Sequence, residues 1–207
     1  FVANVEGIES NWILKQSLKG LNCMEHRGGC GGDSDSGDGA GILCSIPWGY
    51  LDEEMDLINK QKLERGLGMV FMPNKKEKIQ ECKSICEEEA EKLKIKGTFW
   101  RTVPVNNEIL GPLAKANVPY ISQWILYIDK KDHQDIERLL FQLRKRIEKK
   151  IRETVKNQVG DCEFYFASLS TQTVVYKGMV RSEILSEFYQ DLKKESFKVS
   201  FSVYHRR

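Results

Sequence analysis

Between Met24 and Ile42 the chain reads MEHRGGCGGDSDSGDGAGI, with seven glycines and three aspartates in nineteen positions. Four chemistries use such a segment. A phosphate cradle needs Gly-x4-Gly-Lys-Ser/Thr opening a helix. This loop has no lysine, runs into the apolar stretch GILCSIP, and carries aspartates that repel phosphate. A calcium loop could start at Asp33 and Asp35, but Gly37 then fills the fifth position and Cys44 stands where a bidentate glutamate is required. Zinc could draw on Cys23, His26, Cys30 and the distant Cys44, in a spacing without the logic of a structural site. The fourth use is to hold the protein's own chain. Glycine permits positive φ and close backbone approach, and Asp and Ser fix tight turns through local side-chain bonds. Arg27 is then either a clamp in a rigid loop or a surface cation paired with a loop aspartate.

The elements around this loop follow from periodicity. FVANV (1–5) reads as a strand. SNWILKQSLKGLNCMEH reads as a helix capped by Ser10 or Asn11, with Leu14, Leu18, Leu21 and Met24 at helical spacing and Cys23 packed among them. GILCSIP (41–47), LGMVFMP (67–73), GTFWRTVPV (97–105), YISQWILYID (120–129) and FKVSFSVYHRR (197–207) read as strands. LDEEMDLINKQKLE reads as a helix, and NEILGPLAKANVP as a short helix broken at Gly111-Pro112. Two long amphipathic helices follow from KKEKIQECKSICEEEAEKLKIK and DHQDIERLLFQLRKRIEKKIRETVK, with Ile79, Cys82, Ile85, Cys86 and Ala90 as the apolar stripe of the first. Their charged faces, His133 among them, are expected to be solvated surface. Residues 162–178 predict a β-hairpin turning at Ser170 and Thr171, and Trp100, Trp124, Phe164 and Phe166 are expected in the sheet core. The alternation of strands and helices suggests a doubly wound sheet.

Bulk properties exclude several function classes. The 207 residues carry 32 Lys and Arg against 30 Asp and Glu, a net charge of +2, which gives no electrostatic case for nucleic acid or an anionic membrane. No apolar run approaches the ~20 residues that span a bilayer. Six cysteines without a regular framework, and no basic-then-apolar leader pattern, fit reduced thiols in a cytosol-like compartment. Cys82 and Cys86 share a helix face and are expected in the core. The start at Phe1, inside an apolar stretch, is expected to be a cut or processed end.

FVANVEG, LNCMEHRGGCGGDSDSGDGAGI and the final YHRR together resemble the glutamine amidotransferase domain of glutamate synthase large chains, most closely the ferredoxin-dependent type. The resemblance covers residues 1–207, with its specific motifs at the two ends. It implies an α+β fold, the Ntn-hydrolase four-layer αββα sandwich with two antiparallel β-sheets, in place of the doubly wound sheet. The chain would be a partial domain. The resemblance also implies a mechanism, in which the thiolate of an N-terminal cysteine attacks the glutamine side-chain amide and its own α-amine moves the proton. A thioester forms, ammonia leaves and water releases glutamate.

YHRR resembles the start of Tyr-His-x-Arg-Phe/Tyr-Ser-Thr, whose arginine before the aromatic residue grips the substrate α-carboxylate. That implies Arg207 as the anchor, with Arg206 as the runner-up. Arg27, Gly28, His26, Asp38 and Gly39 fall in the active-site loop; His26 is expected to be a buried hydrogen-bonding residue and Asp38 to shape the turn. His205 is expected to pack beside the anchor.

Two features depart from the family. Its Cys-Gly-x-Gly before FVAN is absent, as are the oxyanion-hole Asn-Gly and a later substrate-binding Asp. Cys23, Cys30 and Cys44 cannot replace the nucleophile, because the α-amine must belong to it. The 207 residues are therefore expected to lack glutaminase activity by themselves. FMN, an iron–sulfur cluster, ferredoxin and the remaining synthase domains are implied for the full-length enzyme, with none of these cofactors in residues 1–207. The expected location is cytoplasmic or plastid stroma. Another class II amidotransferase, or a non-catalytic scaffold of the same fold, is the alternative; the acidic DSDSGDGAGI favours glutamate synthase over the phosphoribosyl and sugar-phosphate relatives, whose loop is shorter.

Overall fold

The computed structural model describes residues 1–28, 36–55, 63–129, 135–155 and 163–207, apart from the side chain of Arg27. Cys30, Asp33, Asp35, His133 and Cys162 lie outside the described residues. The described chain divides into two units. The first takes in residues from 1–58, 103–116 and 174–207, the second those from 59–102 and 117–173.

The first unit holds β1 (Val2–Ala3), α1 (Asn11–Asn22), β2 (Ala40–Ser45), α2 (Trp48–Met55), α4 (Pro112–Ala116), β7 (Thr173–Gly178), α6 (Leu185–Phe188) and β8 (Phe201–Arg206). Its sheet runs β1-β8-β2-β7, and β8 is antiparallel to both β1 and β2. Alternation along β2 buries Ala40, Ile42 and Cys44. Their register partners in β8 are Arg206, Tyr204 and Ser202. α1 packs on β8 and buries Ile13, Leu14, Ser17 and Leu21. Gly20 lies under the Tyr204 ring, where an added Cβ would meet the hydroxyl at 2.6 Å.

The predicted cap of α1 works differently. Ser10 occupies the cap position without a side-chain cap bond, and its backbone instead bridges Val199. Asn11 donates its side-chain amide to the Lys194 and Phe197 carbonyls. Tertiary pairing has taken both polar groups from the helix end. Beneath this sheet Asp191 is fully buried and accepts hydrogen bonds from the hydroxyls of Tyr50 (2.8 Å) and Tyr176 (3.0 Å).

The second unit holds β3 (Glu64–Met72), α3 (Lys76–Lys92), β4 (Gly97–Thr102), β5 (Tyr120–Ile128), α5 (Ile136–Thr154) and β6 (Tyr165–Ser170), with sheet order β4-β5-β3-β6. β5 pairs antiparallel with β4 and β3, and β3 antiparallel with β6, with a bulge at Met69/Val70 against β6. The core gathers Val70, Cys82, Cys86, Trp124, Leu143 and Phe166, and Trp100 stacks on Trp124 at 5.1 Å.

Two sequence expectations need correction. The doubly wound sheet is replaced by two four-stranded antiparallel sheets with their helices, an α+β fold. β3 and β5 are apolar almost throughout because they are buried almost throughout, and a continuous apolar run does not distinguish a central antiparallel strand from a parallel one. Nor do residues 162–178 form a hairpin: β6 pairs with β3, whereas β7 belongs to the other sheet. The intervening turn is held by the Glu137 carboxylate, which accepts from the Ser170 hydroxyl and from the Thr171 amide and hydroxyl. Alternation sets the two faces of a strand but does not name its partner. Glu64, expected at the end of a helix, also pairs with β5.

Candidate active site

The residues after α1 form a short 3-10 turn, Glu25–Arg27, which brings a carboxylate toward the end of β8. Glu25 binds with both oxygens. Oε1 takes the Arg206 guanidinium at 3.1 Å and has Arg181 Nε at 3.7 Å, while Oε2 accepts the Ser182 amide at 2.9 Å. Burial by itself raises the carboxyl pKa. The hydrogen bonds from Ser182 and Arg206 and the arginine's charge outweigh it, so the group is held below its ordinary value.

Arg206 has no exposed side-chain surface. Its guanidinium also donates to the Gly39 carbonyl at 3.1 Å. Gly28 makes room for it, because a Cβ there would overlap the guanidinium. Gly39 has a φ of +145°, a conformation open to glycine. Its carbonyl accepts a second bond, from the Arg207 amide at 2.9 Å. Further along, Gly37 lies against the Val180–Arg181 backbone, with 2.6 Å from a would-be Cβ to Val180. The buried Ser36 hydroxyl accepts the Ala114 amide at the start of α4. The described end of the glycine loop therefore does hold chain: it is pinned to β8, to the 180–182 turn and to α4.

The sequence-predicted residues divide around this cluster. Arg206, Gly28 and Gly39 meet in it. Arg207 follows β8 and is exposed. Strand alternation puts it on the face opposite Arg206, free of the ion pair that occupies its neighbour. His26 and Asp38 are exposed, so His26 is not the buried histidine expected of it. His205 is exposed in β8. Arg27 is placed by its backbone in the 3-10 turn. Glu25, Ser182 and Arg181 were not among the predicted site residues. The one signal for them was the position of Glu25 beside His26 and Arg27.

The four described cysteines are spread over the two units. Cys44, Cys82 and Cys86 are buried. Burial pushes the Cys82 thiol up to about 12 and raises Cys44 and Cys86 as well, which suppresses the thiolate. Cys23 is exposed at the end of α1 rather than packed within it. Among the described residues no group of three or more His, Cys, Asp or Glu is placed to hold a metal. An open groove of about 740 Å³ runs between α3 and α5, lined by Lys76, Glu81, Glu88 and Lys150 among others, and carries none of the candidate residues. No described helix is long and apolar enough to cross a membrane.

Comparison with known proteins gives a consistent result. The family model for class-II glutamine amidotransferases matches residues 1–207. The chain is 45% identical to ferredoxin-dependent glutamate synthase 1, chloroplastic/mitochondrial, of Arabidopsis thaliana. Identity is also 45% to ferredoxin-dependent glutamate synthase, chloroplastic, of Oryza sativa subsp. japonica. It is 42% to ferredoxin-dependent glutamate synthase 2 of Synechocystis. Each match covers all of this chain and 13% of the relative, so the chain spans about an eighth of the length of these proteins.

Proposed function

This chain belongs to the class II glutamine amidotransferases, and on that premise we propose that it is part of the glutaminase region of a glutamate synthase. The reaction is hydrolysis of L-glutamine to glutamate and ammonia. An N-terminal cysteine four residues before Phe1 is the nucleophile. Its thiolate attacks the side-chain carbonyl carbon, and its α-amine passes the thiol proton to the departing ammonia. Water then cleaves the thioester, releasing glutamate and restoring the thiol. Arg207 holds the substrate α-carboxylate through two parallel N–H···O bonds, a geometry suited to the planar guanidinium.

One observation carries this reading. β1 pairs with β8 in the register Val2 to Ser202 and Ala3 to Phe201. If the pairing continued in that register, the residue four before Phe1 would stand opposite Arg207. Directly opposed residues of an antiparallel pair project from the same face. A nucleophile there and a carboxylate anchor at Arg207 would flank one substrate.

In the full-length protein the ammonia would pass to 2-oxoglutarate to make a second glutamate, with ferredoxin as electron donor. FMN and an iron–sulfur cluster would supply the redox chemistry. The described cysteines sit apart on β2, on α3 and at the end of α1; on this reading both groups would be held elsewhere in the full-length polypeptide. Residues 1–207 alone, without the cysteine, should not hydrolyse glutamine.

The test is to treat the full-length protein with 6-diazo-5-oxo-norleucine and read its N-terminal peptide by mass spectrometry. The expected result is an adduct on a cysteine four residues before Phe1. An unlabelled N-terminus in a protein that still binds glutamine would instead identify a scaffold that binds without cleaving.

A further inference from the structure

Glu25 is attached to the candidate anchor through a short chain of contacts. Its carboxylate holds the buried Arg206 guanidinium. The same guanidinium holds the Gly39 carbonyl, and that carbonyl holds the Arg207 amide. Its other oxygen fixes the Ser182 amide, so the 25–28 turn, the 181–182 turn and the end of β8 share one carboxylate. Arg206 is fully buried and cannot exchange this partner for bulk water. Gly28 closes the arrangement from the other side, since only a residue without Cβ leaves the guanidinium its place.

We infer that Glu25 is a positioning residue for substrate recognition: through Arg206 and the Gly39 carbonyl it fixes the point from which Arg207 reaches the α-carboxylate of glutamine. The inference rests on the reading of Arg207 given above. Glu25 itself touches neither the amide nor the carboxylate. Its effect is on the selectivity for a substrate carrying an α-carboxylate, a quantity that general loss of structure would not single out.

The experiment uses the full-length enzyme and two substrates, L-glutamine and γ-aminobutyramide, which is glutamine without its α-carboxylate. Ammonia release gives kcat and KM for each. In Glu25→Gln, KM for glutamine should rise about tenfold with kcat nearly unchanged, while kcat/KM for γ-aminobutyramide stays at its original value. Glu25→Asp should recover part of the loss. Gly28→Ala, which displaces the guanidinium while keeping Glu25, should reproduce it and serves if Glu25→Gln does not fold. Arg207→Ala is the reference. If Arg207→Ala abolishes the preference for glutamine but Glu25→Gln and Gly28→Ala do not, the inference is wrong and the reading of Arg207 stands. If Arg207→Ala leaves the preference intact, that reading fails and the inference with it. If Glu25→Gln lowers both substrates equally, Glu25 serves stability only and the inference is overturned.

Discussion

Each unit sets a glutamate against arginine, and the two do so with opposite burial. At Glu25 the cation is the buried partner: the Arg206 side chain is 0% exposed and the carboxylate 28%. At Glu89, on α3, the anion is buried at 6% exposed, and Arg146 of α5 and Lys92 reach it from water at 48% and 52%. Both carboxyls are held below their ordinary value, although burial alone would raise each; hydrogen bonds from Ser182 and Arg206 prevail at Glu25, and bonds from Lys92 and Arg146 prevail at Glu89. The difference lies in what remains when the carboxylate is removed. Without Glu25 a buried cation loses its counter-charge. Without Glu89 the buried charge itself disappears and the cations keep their water. The first arrangement commits a strand end to one position, and the second ties two helices together at little risk.

The sharpest test is therefore Glu25→Ala. Leaving Arg206 uncompensated should cost about 3–5 kcal/mol, seen as loss of hydrogen-exchange protection in α1 and β8 peptides of the full-length protein. A loss no larger than that of Glu89→Ala would break the contrast. Gly28→Ala comes next. Its Cβ must push the guanidinium from the pocket, at about 1–3 kcal/mol, in the same peptides. Glu89→Gln should cost about 1 kcal/mol or less, because its partners are largely solvated, measured as protection of α3 and α5. A larger loss than that of Gly28→Ala would reverse the ranking.

The smallest effect is in pH. A carboxyl whose folded pKa is depressed adds stability that is present above its unfolded pKa, about 4.3, and is lost as pH falls through the lower folded value. The advantage of wild type over Glu25→Gln or Glu89→Gln should then shrink below about pH 4. An advantage that grows toward acid would show that burial, and not hydrogen bonding, prevails at that site.

Much of this was legible in the sequence where a period carried it. Of the expected stripe, Cys82, Ile85, Cys86 and Ala90 are buried and Ile79 is partly buried against them. Glu89 was not expected there, yet it stands seven residues after Cys82 and so on the same face; the surrounding glutamates hid it. The aromatic core of Trp100, Trp124, Phe164 and Phe166 could be read in the same way. The Glu25–Arg206 pair could not. Its members are 181 residues apart, and no local pattern selects a glutamate at the end of a helix as the partner of an arginine in a distant strand. Arg207 and Arg206 were both candidate anchors by resemblance. The motif ranks Arg207 first, and the fold gives the two different settings: Arg206 is buried in an ion pair and Arg207 is exposed.

The register of β1 with β8 also bears on the order of assembly. Val2 finds Ser202 only after almost the whole of this sequence has been made. The sheet β4-β5-β3-β6, in contrast, draws all its strands from Glu64–Ser170. Closing a longer loop costs more chain entropy, and distant pairings slow folding. The β3–β6 sheet is thus expected to gain protection first in pulse-labelled refolding, and the strand carrying Arg206 last. The same would hold on the ribosome, where the buried guanidinium could not reach Glu25 until β8 had emerged.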